Sequence, residues 1–456
     1  GGNLGWTQAG RIEYARNGGR INTDFIDNSA GVDTSDHEVN IKILLDAEVA
    51  AGRISEQERD ELLPAMADDV ASLVLRHNHS QNLALANALS SDGPTAGVLE
   101  AWMCELEESG HLDRAVDTMP STTEMNRRMA AGERLASPEL CTLLAWTKIA
   151  LCDAVLATDL PEDPFVADRL VGYFPPLLRE RFTERMPTHR LHREIITTEA
   201  VNRFVDSQGI TAYYRLHLQT GADIAQVIRC QLAARSVFGL GRVETDLTHL
   251  GLDAVRTAKI RLALTDLAMH TTRWFLNHGG ADDIAGTIET YRPGVATPVE
   301  KLSERLLGDS ADAWQEKVDE VTELGLDRSD AAVVAAYDWS PVLLSIVEIS
   351  EEGHSLDEVA DAYLTLARRV DMIRLTRLVE QLPQDRPTDA RVRASLREDL
   401  LRVMSDATRR ALVIGTDNVL ADGGRIVKSI AANPDLAHCV VMVSDLRSAV
   451  GQEVTL

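Results

Sequence analysis

From Ser35 onward the apolar residues recur at three- and four-residue spacing for most of the chain, a period that few folds other than packed helices can use. Leu140, Leu143, Leu144, Thr147, Leu151 and Val155 predict one face of a helix. Ser137, Pro138 and Glu139 would open it as N-cap, first-turn proline and first-turn acid. Ile260, Leu264, Leu267, Thr271 and Trp274 predict a second helix, stopped at Gly279-Gly280. Val392, Leu396, Leu400, Val403 and Ala407 predict a third. Ser55 with Glu58 has capping-box spacing ahead of "ELLPAM". Strand signals are scarce: "ALVIGT" (411–416) is ambiguous, and "CVVMVS" (439–444) follows Asn433-Pro434-Asp435, which predicts a helix start. No fixed-period repeat supports a solenoid.

A chain of 456 residues predicts two or three domains. The Gly-, Asp- and Pro-bearing run from Gly279 to Pro298 is the expected linker, with "LPQDRPTD" (382–389) a shorter break. Aromatic residues make up only 4%, so Leu, Val, Ile and Ala must build the core. Lys and Arg number 46 against 71 Asp and Glu, a net charge of −25 that repels phosphate backbones and anionic bilayers. Nucleic-acid and membrane partners are therefore not expected, whereas a small anion in a local basic pocket is compatible. Cys104, Cys141, Cys152, Cys230 and Cys439 form no C-x-x-C pair, which predicts buried, reduced thiols in a cytoplasmic protein. The opening "GGNLG" has neither a Met nor a signal pattern, as expected of a piece of something longer.

Residues 19–40, "GRINTDFIDNSAGVDTSDHEVN", depart from the helical pattern. Ile21, Phe25 and Ile26 suit a short strand over 20–27, followed by a turn in which Gly31 permits positive φ or close backbone approach. Ser35 and Glu38 have S-x-x-E spacing, which starts the next helix at Ser35 and directs its N–H groups toward an anion. In the plainer reading Ser35 only caps a helix and Asn28 only makes a turn. Elsewhere, His77 and His79 are two apart and face different ways on a helix, so no metal site is expected there or anywhere in the chain. His189 and His192, with Arg190 and Arg193, could bind an anionic effector or form a solvated basic turn. "FGLGRVETDL" (238–247) has only G-x-G between helices, and "GRIVKSI" lacks phosphate-loop spacing.

Residues 3–45, "NLGWTQAGRIEYARNGGRINTDFIDNSAGVDTSDHEVNIKILL", resemble the signature of the large bacterial NAD-dependent glutamate dehydrogenases. The resemblance continues more weakly through 193–211, 214–226 and 272–280 and offers nothing for the last 170 or so residues. It implies a mainly α fold: a long C-terminal helical domain preceded by a short strand and loop tail of an α/β, Rossmann-like dinucleotide-binding domain. The implied domains are 1–40, 41–290 and 291–456. It implies interconversion of L-glutamate and 2-oxoglutarate with NAD as cofactor, in a homo-oligomer (tetramer or hexamer). By the family's N-[SA]-[AG]-G-V-x-x-S segment, Asn28 would lie near the nicotinamide, Val32 on the substrate's carbon chain, and Ser35 on its γ-carboxylate. Asn3 would touch the nicotinamide ribose or carboxamide. Asp27 and Asp33 would fix the turn, and Asp36 and His37 receive no role. The family's catalytic lysine and Gly-rich turn lie upstream of "NLG", so no catalytic residue is expected here and the chain alone should not turn over. Two rivals remain: a helical regulatory or interaction module, and an enzyme for another amino acid.

Overall fold

The structure is a computed structural model that describes residues 5–90, 95–306, 309–382, 387–421 and 435–451. Every regular element among them is helical. The chain divides into two compact units: Gly1–Arg215 with Asp223–Ile228, and Leu216–Ala222 with Arg229–Leu456.

In the first unit the helices are α1 (Gln8–Arg16), α2 (Asp24–Asp27), α3 (Ser29–Ala50), α4 (Glu56–Ala65), α5 (Ala67–Leu89), α6 (Ala96–Glu108), α7 (Thr122–Ala130), α8 (Ser137–Leu156), α9 (Pro164–Ala167), α10 (Arg169–Tyr173), α11 (Pro176–Phe182) and α12 (His192–Gln208). The core forms where α5, α8 and α12 pack on one another, with α3 laid on α5 and α1 on α8. All six residues predicted for the α8 face are buried. The cap is Ala136 rather than Ser137, because the Glu139 carboxylate folds back to accept the Ala136 N–H at 2.7 Å. Within that face Thr147 has a polar duty: its hydroxyl accepts the Trp102 indole N–H at 2.8 Å in a buried setting. The near-isosteric Thr147→Val is expected to leave that N–H without a partner and to destabilise by about 1–3 kcal/mol, read as a lower urea midpoint at unchanged slope.

The strand expected at 20–27 is absent: residues 24–27 form α2. An isolated strand has no neighbour to take its N–H and C=O groups, and no strand occurs among the described residues. The segment is held instead by side chains. Arg11, buried, donates to the Asn22 carbonyl at 2.8 Å and pairs with Asp24 and Asp27. Asn78 of α5 donates to the Ile26 carbonyl at 2.8 Å.

In the second unit Ser340–Ser350 is the central helix, packed against Ala254–Asn277, Ile284–Arg305, Leu356–Arg369 and Pro387–Ile414. The predicted face from Ile260 to Trp274 is buried, and the helix ends before Gly279 and Gly280, both at positive φ. The expected linker is not one: Ile284–Arg305 runs as helix through most of it. Its Gly294 serves close approach rather than a turn, since a Cβ there would stand 2.6 Å from Val347 Cγ2. Of "LPQDRPTD", residues 383–386 lie outside the described residues, and 387–389 open the helix Pro387–Ile414. Residues 411–414 end the helix Pro387–Ile414, where Gly415 adopts φ 87°, and 439–444 lie in the helix Leu436–Gly451, as expected. Of the third predicted face, Leu396, Leu400, Val403 and Ala407 are buried. Cys141, Cys230 and Cys439 are buried, Cys104 and Cys152 half-buried, and all five are free thiols. Among the described residues no single helix is long and apolar enough to cross a membrane; the pair Arg328–Asp338 and Ser340–Ser350 is apolar enough together but bends by 88°.

Candidate functional site

The head's turn is shorter than expected and its helix starts earlier. α3 opens at Ser29 with Asn28 as N-cap residue (φ −127°, ψ 39°), so Ser35 lies in the second turn and is not a cap. The Ser35 hydroxyl donates back to the Gly31 carbonyl at 3.2 Å, the bond a mid-helix serine makes. Gly31 is helical, and a Cβ there would meet nothing nearer than the Asn28 side chain at 3.7 Å. Gly31 thus shows neither the positive φ nor the close approach allowed for it, and Ser35 is not the expected cap. Asn28, Val32 and Ser35 nonetheless fall four and three residues apart and share one face. That face is open, with Val32 78% exposed. Asn3 lies outside the described residues.

The opposite face of α3 is the unusual one. Asp33 and His37, one turn apart, meet His77 of α5. The Asp33 Oδ2 lies 2.9 Å from His77 Nδ1, and its Oδ1 lies 3.8 Å from His37 Nε2. His37 is fully buried, with its ring sandwiched between Tyr173 at 4.3 Å and His77 at 5.7 Å, and neither ring nitrogen has a hydrogen-bond partner. Burial holds His37 below the ordinary histidine range. Burial also opposes protonation of His77, but the hydrogen bond with Asp33 and its charge prevail and raise it. The Tyr173 hydroxyl donates to Asp36 Oδ2 at 2.9 Å and accepts from Asn40 at 2.8 Å, so Asp36 orients the ring that stacks on His37. Asp33 thus joins helices rather than fixing a turn, while Asp27 does fix one through Arg11. Sequence reasoning passed over this cluster because only Asp33 and His37 carry a local signal, the i, i+4 spacing. His77 arrives from 40 residues away in sequence only through the packing of α3 on α5.

His189 is neither effector ligand nor solvated. It is buried, its Nε2–H donating to the Asn40 carbonyl at 3.0 Å and its Nδ1 accepting the Leu191 N–H at 3.1 Å. Arg193 is spent on Glu162 and on the carbonyls of Leu156 and Thr158. The G-x-G at Gly239–Gly241 opens the helix Leu240–His249 with Gly239 at φ 64° and follows no strand. This G-x-G is therefore not the strand-to-helix turn that cradles a dinucleotide pyrophosphate.

Comparison with known proteins gives two family matches. Residues 132–453 match the family described as "Glutamate dehydrogenase, C-terminal", and residues 1–88 match "Bacterial NAD-glutamate dehydrogenase, catalytic domain". An NAD-specific glutamate dehydrogenase of Pseudomonas aeruginosa is 35% identical over 100% of this chain and 28% of its own length. That of Mycobacterium tuberculosis is 36% identical over 91% of the chain and 26% of its own length. That of Halomonas elongata is 34% identical over 91% of the chain and 26% of its own length. The chain thus spans about a quarter of the relatives it matches.

Proposed function

Because this chain belongs to the NAD-specific glutamate dehydrogenase family, we propose that it is the C-terminal portion of such an enzyme. The whole enzyme would convert L-glutamate, NAD⁺ and water into 2-oxoglutarate, ammonium, NADH and a proton. The chain's share is one wall of the active site, the end of the dinucleotide-binding domain up to about residue 40, and a helical scaffold over the remainder. The observation that carries this reading is the open face of α3 in a segment matching the catalytic-domain family. Val32 on that face is 78% exposed, and elsewhere in the same segment Trp6 and Phe25 are 49% and Tyr14 45% exposed, apolar side chains suited to being covered. Val32 would lie against the substrate's methylenes, Ser35 would give a hydroxyl to its γ-carboxylate, and Asn28, with Asn3, would face the nicotinamide. In this reading the proton and hydride steps belong to groups elsewhere in the enzyme, and the isolated chain would be inactive. The helical part would buttress the catalytic core and form subunit contacts; the exposed Val413, Val440 and Val441 suit that role. Five free thiols suit the reducing cytoplasm.

Ser35→Ala in the full-length enzyme tests the assignment, since alanine favours a helix interior. Losing a hydrogen bond to a charged carboxylate is expected to lower kcat/KM for glutamate about ten-fold or more, equivalent to roughly 1.5–3 kcal/mol. Unchanged kinetics would reduce Ser35 to a surface residue of α3.

A further inference from the structure

We propose that Asp33, His37 and His77 form a binding site for a zinc-type divalent cation that fastens α3 to α5. Three observations carry it. One ligand atom from each residue lies within 4.8 Å of the others. The donor set, two imidazoles and one carboxylate, is one that zinc and related metals prefer over magnesium or calcium. His37 is 0% exposed, yet both of its nitrogens lack a hydrogen-bond partner. An imidazole buried in that state is costly, and a cation between Asp33 and the two rings supplies the missing partner.

The geometry needs side-chain rotation only. Tetrahedral zinc with bonds of about 2.1 Å spaces its ligand atoms by roughly 3.4 Å, so atoms now up to 4.8 Å apart draw together, while His77 Nδ1 and the Asp33 carboxylate, at 2.9 Å, part slightly to admit the ion. His77 would ligate through Nδ1, the atom beside Asp33, leaving Nε2 toward Glu199 Oε1 at 3.9 Å. A carboxylate behind a ligating imidazole is the usual outer support for such a ring. Tyr173, stacked on His37 and tied to Asp36 and Asn40, fixes the other ring. A solvent molecule would complete the shell. Since the cluster and the face bearing Val32 and Ser35 lie on opposite sides of α3, the cation's role is to set the helix's position, not to touch substrate. This inference does not rest on the glutamate assignment, and its test reads metal rather than turnover.

The test is calorimetric titration of the chelator-stripped chain with Zn²⁺, with the visible spectrum of added Co²⁺ reporting coordination. One equivalent of Zn²⁺ and a tetrahedral Co²⁺ spectrum are expected. His37→Phe keeps an aromatic ring between Tyr173 and His77 without a ligand atom, and Asp33→Asn removes a partly exposed carboxylate while keeping its size and an oxygen that can still accept from His77. Each should weaken binding about a hundred-fold or more, while His79→Ala, on an exposed residue of the same helix, should leave it unchanged. Absence of stoichiometric binding by the native chain overturns the proposal. So does native-like affinity in Asp33→Asn, which stays informative even if His37→Phe does not fold.

Discussion

Replacing Glu139 with alanine is expected to destabilise the first unit by about 3–5 kcal/mol, the scale for stripping one partner from a buried ion pair. The Glu139 side chain is 1% exposed and that of Arg128 6%. Both carboxylate oxygens accept from Arg128 Nη1, at 2.8 and 3.0 Å, and one also accepts the Ala136 N–H at 2.7 Å. Alanine would therefore leave a guanidinium group facing the core and uncap α8 in one step. Glu124 still reaches Arg128 Nε at 2.9 Å, but its side chain is 32% exposed and on the far side of the guanidinium's fork. Urea unfolding followed by circular dichroism gives the measurement. The double variant Arg128→Met with Glu139→Leu should recover most of the loss, because removing both charges removes the orphan. A Glu139→Ala midpoint within experimental error of the native one would show that the pair contributes nothing.

What could be read from sequence divides along the range of the interactions involved. The α8 and Ile260–Trp274 faces were legible because burial there follows a 3.6-residue period, and every residue named from it is buried. The head misled because its cues were local and ambiguous. "RINTDFID" suits a strand in its apolar residues, but Arg11, twelve residues before Thr23, decides the outcome by pairing with Asp24 and Asp27. S-x-x-E at Ser35 and Glu38 matched a cap that the chain had no use for, since α3 had already begun at Ser29. Glycine and proline around 279–298 read as a linker because their local preference is for turns, whereas Gly294 answers to the long-range approach of Val347. Of the candidate site, motif resemblance singled out Asn28, Val32 and Ser35, but did not show that they share one helical face, because the sequence cues put a turn there. The histidine cluster was not legible, because stacking His37 between Tyr173 and His77 joins three segments far apart in sequence.

Stability of the second unit is expected to fall between neutral and alkaline pH, and His278 is the reason. Its ring bridges two acids from different helices: Nδ1 lies 2.9 Å from Glu348 Oε1 and Nε2 lies 3.2 Å from Glu398 Oε1. One ring face stacks on Trp274 at 4.0 Å and 11°. Burial opposes protonation, but the two carboxylates outweigh it and raise the histidine to about 9, from an ordinary 6.5. The folded state therefore binds the proton more tightly than the unfolded chain does. The stabilisation is fully present below about pH 6.5 and is lost as pH rises through about 9, an amount near 3 kcal/mol by linkage. Above that range two carboxylates flank a neutral ring, with Arg402 and Arg409 at 3.7 and 3.8 Å left to offset them. Other groups titrate in the same window, so the readout is the difference between native protein and His278→Gln in denaturant midpoints from pH 6 to 10. Glutamine keeps a polar side chain between Glu348 and Glu398 without the charge. The difference should be largest at pH 6 and shrink toward pH 10, and a gap that stays constant across the range would mean that His278 carries no proton in the folded protein.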